Sequence, residues 1–525
     1  MAGLAQSPLW QELARHRNGL KPASLRDLVF ATPGRLENFQ VSCGGLRLNY
    51  AFAAAAPKTI ELLVKLAGQQ NLEAARAALF CGDKVNTTEK RAALHTALRQ
   101  KTDKPVVVDG RDVMPEIRAT QKRMAHFADD VRSGNYKGAA GQPIKDVVNI
   151  GIGGSDLGPR LAAKALTPFA SGPRVHFVAN ADAFELMSVL KNCDPASTLF
   201  LVVSKTFATE ETLLNARTAR QWLVEKLNEN AVFRHFIGVT GNEAAARKFG
   251  VAPENIFPVW DWVGGRMSLW SAVGLAAMLA IGPEHFAAMS EGAAEMDAHF
   301  FSAPLAQNMP ALLGLLGVWH RNFCDMRAHA VLPYSERLRE LPRYLQQLEM
   351  ESNGKSVTRE GKPADYETAP VIFGECGSVG QHSFHQWLHQ GSDIVSADFI
   401  GVVSDDLGKP DHHLALTANM VAQVGALAFG KQDAKSPFEM CAGGRPSNVI
   451  LLDRLDPRHF GMLLALYEHK VFVEGAIWNL NSFDQPGVDL GKNLARGLEA
   501  ARPPHGQEEA FLTQLLGLAS VPAKK

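Results

Sequence analysis

At 525 residues the chain is too long for one hydrophobic core, so two or three packed units are expected. With 46% hydrophobic and 21% charged residues it is neither disordered nor fibrous. Lys plus Arg balance Asp plus Glu at 54 each, which excludes the net positive charge that drives sequence-independent binding to nucleic acid or anionic membrane; an anionic ligand needs a local site.

The opening MAGLAQSPLWQELARHR lacks a charged lead followed by a long apolar run, so no secretory signal is expected. Six scattered cysteines (Cys43, Cys81, Cys193, Cys324, Cys376, Cys441) with no CxxC pair fit reduced thiols in a cytoplasmic protein. The first hundred residues or so read as mainly helical, with a hairpin where NFQVSCGGLRLNY sets Gly44 and Gly45 between two alternating segments. Asn86 with Glu89 suits a helix start before KRAALHTALR, since both side chains can serve free N–H groups.

From about residue 145 short apolar runs alternate with helical stretches: DVVNIGI, RVHFVAN, TLFLVVS and RHFIGVT, each followed by a helix. Continuous runs of that kind suit strands buried on both faces, with the helices as crossovers, so a parallel, doubly wound α/β unit is predicted. The strongly apolar stretch Met267 to Gly282 carries Ser268 and Ser271 and is short of the roughly 20 residues a bilayer span needs, so it reads as buried core. A less regular second α/β set appears in APVIFGECG, ADFIGVVSD and SNVILLDRL, and beyond about Pro503 the chain ends in a helical tail, EEAFLTQLLGLA.

Two loops carry phosphate chemistry. Gly151-Ile152-Gly153-Gly154-Ser155-Asp156 follows a buried strand and precedes Pro159, which suits the first turn of a helix; its backbone N–H groups face an anion at a positive helix end. Asp156 stands where a dinucleotide fingerprint has glycine, and a tight turn without ligand is the other reading. Ser204-Lys205-Thr206-Phe207-Ala208-Thr209 offers three hydroxyls and an ammonium at a helix start, the groups that hold a phosphomonoester without a metal, although Ser and Thr also cap helices with no ligand. Loops at the carboxyl ends of strands in one sheet converge on one crevice. Gly354-Lys355-Ser356 fails as a nucleotide-triphosphate loop because Glu349 stands at the first glycine position.

Farther on, Gln347 to Lys355 ends a helical run at Asn-Gly, where a carboxylate faces the negative end of the helix dipole and becomes a stronger base. Arg266 follows two glycines and could steady an oxyanion or make a structural ion pair. His382, His385 and His389 recur at helical spacing, but without the carboxylate of HExxH, so one titratable and two structural histidines are expected rather than a metal site. Lys492 lies near a turn-rich segment and alone says little.

In order and over nearly the whole chain, NIGIGGSDLGP, SKTFATEET, VGGRMSLWSAVG, QQLEMESNGK, GQHSFHQWLHQG and SFDQPGVDLGK closely resemble the glucose-6-phosphate isomerase family. The resemblance implies two sugar-isomerase αβα sandwich domains in a homodimer, acting in glycolysis and gluconeogenesis with no metal or cofactor. It implies a helical segment over 1–110, a small domain over 111–285, a large one over 286–505 and a tail over 506–525. Ser155, Ser204, Lys205, Thr206 and Thr209 match phosphate-binding positions, and Gly154, Gly265, Arg266 and Gln347 match positions lining the sugar. Glu351 matches the proton-transferring glutamate, and His382, reaching the neighbouring subunit, matches the ring-opening pair with Lys492. Ala208, Met267, Pro486 and Asp489 depart from the family pattern without removing a catalytic group. A non-catalytic sugar-phosphate sensor or an isomerase of another aldose phosphate is the competing expectation.

Overall fold

The computed structural model describes residues 3–20, 24–431, 433–499 and 507–519. The described residues up to Ser482 form one compact unit, and those from Phe483 onward a second.

Within the first unit, strands β1 (Gln40–Cys43) and β2 (Leu46–Asn49) form the expected hairpin around Gly44 and Gly45, both at positive φ. The next strands are β3 (Asp146–Ile150), β4 (Arg174–Val178), β5 (Thr198–Val203), β6 (Phe236–Thr240) and β7 (Ile256–Pro258). They make a five-stranded sheet in the order β4-β3-β5-β6-β7, parallel throughout. Every residue of β3, β5 and β6 is buried, as their unbroken apolar runs require.

A second sheet holds β8 (Ala328–Pro333), β9 (Val371–Gly374), β10 (Ser396–Val402) and β11 (Ser447–Leu452) in the order β1-β2-β11-β10-β8-β9. Its last four strands are parallel, and the hairpin closes its edge by antiparallel pairing of β2 with β11. Helices flank both sheets, giving two αβα layers, and in each sheet the strand order reverses beside its first parallel strand, β3 in one and β8 in the other. Sequence periodicity had not revealed β7 or β8. Residues Met267–Gly282 are buried throughout, as expected of core.

One expectation is corrected. No helix follows Asn86: the segment makes an isolated bridge between Asn86 and Arg91, and only the short turn Ala97–Arg99 is helical. Asn86 does bind Glu89 through its Nδ2 at 2.7 Å, but its Oδ1 accepts from Asn481 at 2.9 Å. The same oxygen also accepts from the Glu89 N–H at 3.3 Å, a cap-like bond that closes the turn without a helix following it.

The helix Pro457–Ile477 runs through the core with every residue except Arg458 buried. It nests against the helix Pro283–Ser302 at two glycines: a Cβ on Gly461 would lie 1.8 Å from the Met289 carbonyl oxygen, and one on Gly292 as close to that of Arg458. Its ionised side chains are paired in place. Arg99 donates to both oxygens of Asp297 at 2.7 and 2.6 Å and also binds Glu468, which accepts from Trp270 Nε1 at 2.8 Å. Burial by itself raises the Asp297 carboxyl, but Arg99 and His469 outweigh it and hold it at about 2. In the second unit, helices cover Asp489–Glu499 and Gln507–Ala519; the remainder of the expected tail lies outside the described residues.

Candidate active site

Where β3 ends, the chain turns through the short helical segment Gly153–Ser155 into the helix Leu157–Ala165, with Gly153 at φ 61°. Asn149, buried in β3, donates to the Ser155 carbonyl at 3.1 Å and supports the loop from below. Gly154 touches the backbone of the 264–266 segment: a Cβ there would sit 2.0 Å from the Gly265 carbonyl oxygen. Only glycine fits, so two distant segments share one wall. A Cβ on Gly151 would come within 3.1 Å of the Val203 carbonyl oxygen, so the loop after β3 also abuts the end of β5.

In the loop after β5, buried Ser204 and Thr209 join hydroxyl to hydroxyl at 2.9 Å. Thr209 is the N-cap residue of the helix Glu210–Lys226 yet makes no side-chain cap, which leaves the positive helix end open toward the crevice. The capping alternative therefore does not describe this threonine. Lys205 Nζ donates to the carbonyls of Asp261 at 2.7 Å and Val263 at 3.3 Å, tying the hydroxyl loop to the turn leading into Gly265. Burial pushes its ammonium below the usual lysine range, partly countered by Asp261. A phosphate dianion in the crevice would favour the charged form. Thr206 is exposed at the rim, and Phe207, buried at φ 50°, pins the loop's centre.

Arg266 is buried on the 3-10 segment Gly265–Trp270 and is gripped from three sides. Its Nε donates to Ser352 Oγ at 2.7 Å, its Nη2 to the Ser482 carbonyl, and its Nη1 to Glu351 Oε2 at 3.3 Å. Glu351 closes a π-helical turn, Gln347–Glu351, that follows the helix Leu341–Gln346. The turn also aims Gln347 at the first loop: its Nε2 is 3.1 Å from where a Gly153 Cβ would be, and its Oε1 is buried with no hydrogen-bond partner among the described residues. A π turn is an uncommon insertion in a helix, frequent at functional sites.

The structure thus brings together Gly154, Ser155, Ser204, Lys205, Thr206, Thr209, Gly265, Arg266, Gln347 and Glu351. His382 is set apart: it follows the short helix Gly377–Gln381, exposed, and no hydrogen bond or ion pair of its ring is seen among the described residues. His385 and His389 both contact Gln423 Oε1, at 3.2 and 2.9 Å, which gives them a packing role. Lys492 lies in the second unit, exposed on Asp489–Glu499, with Nζ 3.9 Å from Asp489. Sequence reasoning missed Ser352 and Ser482; the first stands beside Glu351, but nothing local marks the second as a holder of Arg266.

Away from the crevice, at the opposite end of β3, Asp146, His176 and Cys193 bring metal-type ligand atoms within 4.8 Å of one another. There Asp146 already accepts from Arg174 at 2.9 and 2.8 Å and contacts His176 at 2.8 Å, an ion-pair anchor at the sheet's far edge.

A family model described as phosphoglucose isomerase matches residues 49–511. Glucose-6-phosphate isomerase 1 of Chromohalobacter salexigens is 48% identical over 94% of this chain and 91% of its own length. The glucose-6-phosphate isomerase of Deinococcus radiodurans is 48% identical over 97% of this chain and 96% of its own. Among solved structures, a glucose-6-phosphate isomerase from Chlamydia trachomatis superposes with a TM-score of 0.89 at 33% identity, covering 99% of this chain and all of that one.

Proposed function

The chain belongs to the phosphoglucose isomerase family, and from that membership we infer that it interconverts glucose 6-phosphate and fructose 6-phosphate. The observation that carries the reading is the 3.3 Å approach of Arg266 to Glu351 beside two anion-binding loops: a base, a fixed cation and a phosphate cradle meet in one crevice. The experiment is direct. Glucose 6-phosphate incubated with the protein should yield fructose 6-phosphate, and mannose 6-phosphate should not serve nearly as well; no fructose 6-phosphate would end the proposal, and equal use of both would favour a broader aldose-phosphate isomerase.

In this mechanism Ser155, Ser204, Lys205, Thr206 and Thr209 hold the phosphate, and Gly154, Gly265 and Gln347 line the sugar. His382 and Lys492 open the ring by moving protons between the ring oxygen and the C1 hydroxyl. Glu351 then removes the C2 proton and returns it to C1, while Arg266 balances the negative charge that builds on the enediol oxygens. The same reading divides the chain into a segment over 1–110, sugar-isomerase domains over 111–285 and 286–505, and a tail over 506–525.

We further propose a cytoplasmic homodimer in which each copy's His382 completes the other copy's site; the exposure of His382 and the lack, among the described residues, of a hydrogen bond or ion pair from its ring to Arg266 or Glu351 support this. No helix among the described residues is long and apolar enough to cross a membrane. Mixing inactive Glu351→Gln and inactive His382→Ala proteins should restore part of the activity, because a hybrid dimer would hold one intact site. Verified subunit exchange without recovery would rule out shared sites.

A further inference from the structure

The π-helical turn that presents Gln347 and Glu351 to the crevice carries Glu349 on its other side, 2% exposed. Glu349 Oε2 accepts from Lys470 Nζ at 2.6 Å, and the same ammonium lies 2.9 Å from Glu474 Oε1. Lys470 and Glu474 are one turn apart on the core helix Pro457–Ile477, and neither belongs to the crevice. The Glu474 carboxyl packs into a space left by Gly317, where a Cβ would lie 1.9 Å from its Oε1.

Burial raises both carboxyls, but Lys470 reverses this for Glu349, which is held low, while Glu474 remains well above the ordinary range. Burial likewise lowers the Lys470 ammonium, and the two carboxyls outweigh it. The cluster thus sets one ammonium between two carboxyls inside the core, 2.6 Å from Glu349 and 2.9 Å from Glu474. A second link runs parallel to it. Asn353 Nδ2 donates to the Val471 carbonyl at 2.9 Å, and its Oδ1 accepts from Ser482 Oγ at 2.7 Å, the residue whose carbonyl holds Arg266.

We propose that Lys470 is a positioning residue for the isomerisation: by gripping Glu349 it fixes the phase of the π turn so that Gln347 and Glu351 face the substrate. The proposal rests on the functional reading above. A π turn carries one residue more than regular helix, and relaxing it by one residue rotates the following side chains by about 100° around the helix axis. The core helix supplies the two clamps, at Glu349 and at Asn353, that bracket Glu351 and resist this rewinding.

The test compares wild type, Lys470→Met and the double variant Glu349→Gln/Lys470→Met. Each is assayed for kcat and KM with glucose 6-phosphate and for competitive inhibition by inorganic phosphate. The double variant removes both members of the Glu349–Lys470 pair, so it separates positioning from the cost of stranding Glu349. Loss of the grip should lower kcat by roughly 10²-fold, the scale of a 1 Å misplacement, in both variants. Phosphate inhibition should stay within about twofold, because the loops that bind it lie elsewhere.

A folded double variant with near-wild-type kcat overturns the proposal, and so does a parallel loss of phosphate binding, which would mean general collapse. A double variant that cannot fold assigns the pair to the fold alone and overturns it equally. Wild-type protein that binds phosphate but leaves glucose 6-phosphate unchanged would instead refute the functional reading.

Discussion

Glu351→Gln should lower kcat by roughly 10²–10⁴-fold, the range for removing a positioned general base, while inorganic phosphate inhibits as well as before. The amide keeps the size of the carboxyl and can still accept a hydrogen bond from Arg266 Nη1, now 3.3 Å from Glu351 Oε2. What it loses is the ability to take a proton from carbon. Glu349, the only other carboxylate of the same turn, cannot stand in, because it is buried against Lys470. In deuterated water the wild-type enzyme should place solvent deuterium at C1 of fructose 6-phosphate. A Glu351→Gln variant turning over at the wild-type rate would move the base elsewhere, and complete retention of the substrate hydrogen would point to hydride transfer.

Arg266→Lys should cost about 10²–10³-fold in kcat, the scale of losing one preorganised donor to an oxyanion, with a smaller change in KM. The guanidinium uses separate edges for separate tasks: Nε to Ser352, Nη2 to the Ser482 carbonyl and Nη1 toward Glu351. A single ammonium on a flexible stem cannot keep all three geometries. Thermal melting of the variant separates this from unfolding, since the charge is retained and the half-buried Glu351 carboxylate keeps a partner. If KM rises tenfold and kcat is unchanged, Arg266 binds ground state and transition state alike, and its role is substrate affinity.

Much of this site was legible because its parts are local. Gly154, Ser155 and the Ser204–Thr209 loop follow strands whose apolar runs announce themselves, and strand ends in one parallel sheet must share an edge. The carboxylate near a helix end was visible in the Asn-Gly stop after Glu351. Other features had no local signature. β8 carries His329, which contacts Ser396 Oγ at 2.8 Å, and it ends at Pro333, so its run looks interrupted although it is an interior strand of the sheet. Asn86 with Glu89 fits a helix cap, and its oxygen does accept from the Glu89 N–H at 3.3 Å, but it also accepts from Asn481, 395 positions on, and the chain enters a bridge with Arg91 instead of a helix. The grip on Arg266 joins Ser352 to Ser482, and that on Glu349 comes from Lys470. Such pairings depend on which helices touch, and side-chain periodicity along either helix does not contain that choice.

The hairpin at the edge of the second sheet also sets a timetable for synthesis. β2 pairs with β11, Leu46 opposite Leu452 and Leu48 opposite Ile450, and both leucines are fully buried there. A ribosome adding roughly 5–20 residues per second needs about 20–80 s to travel the roughly 400 positions between the two strands. Throughout that interval the backbone edge of residues 46–49 and its two leucines lack their permanent cover, while the first sheet can already assemble from residues 146–258. An open strand edge invites pairing with other chains. The nascent protein is therefore most exposed to misassembly at a strand made early, and it stays so until β11 emerges.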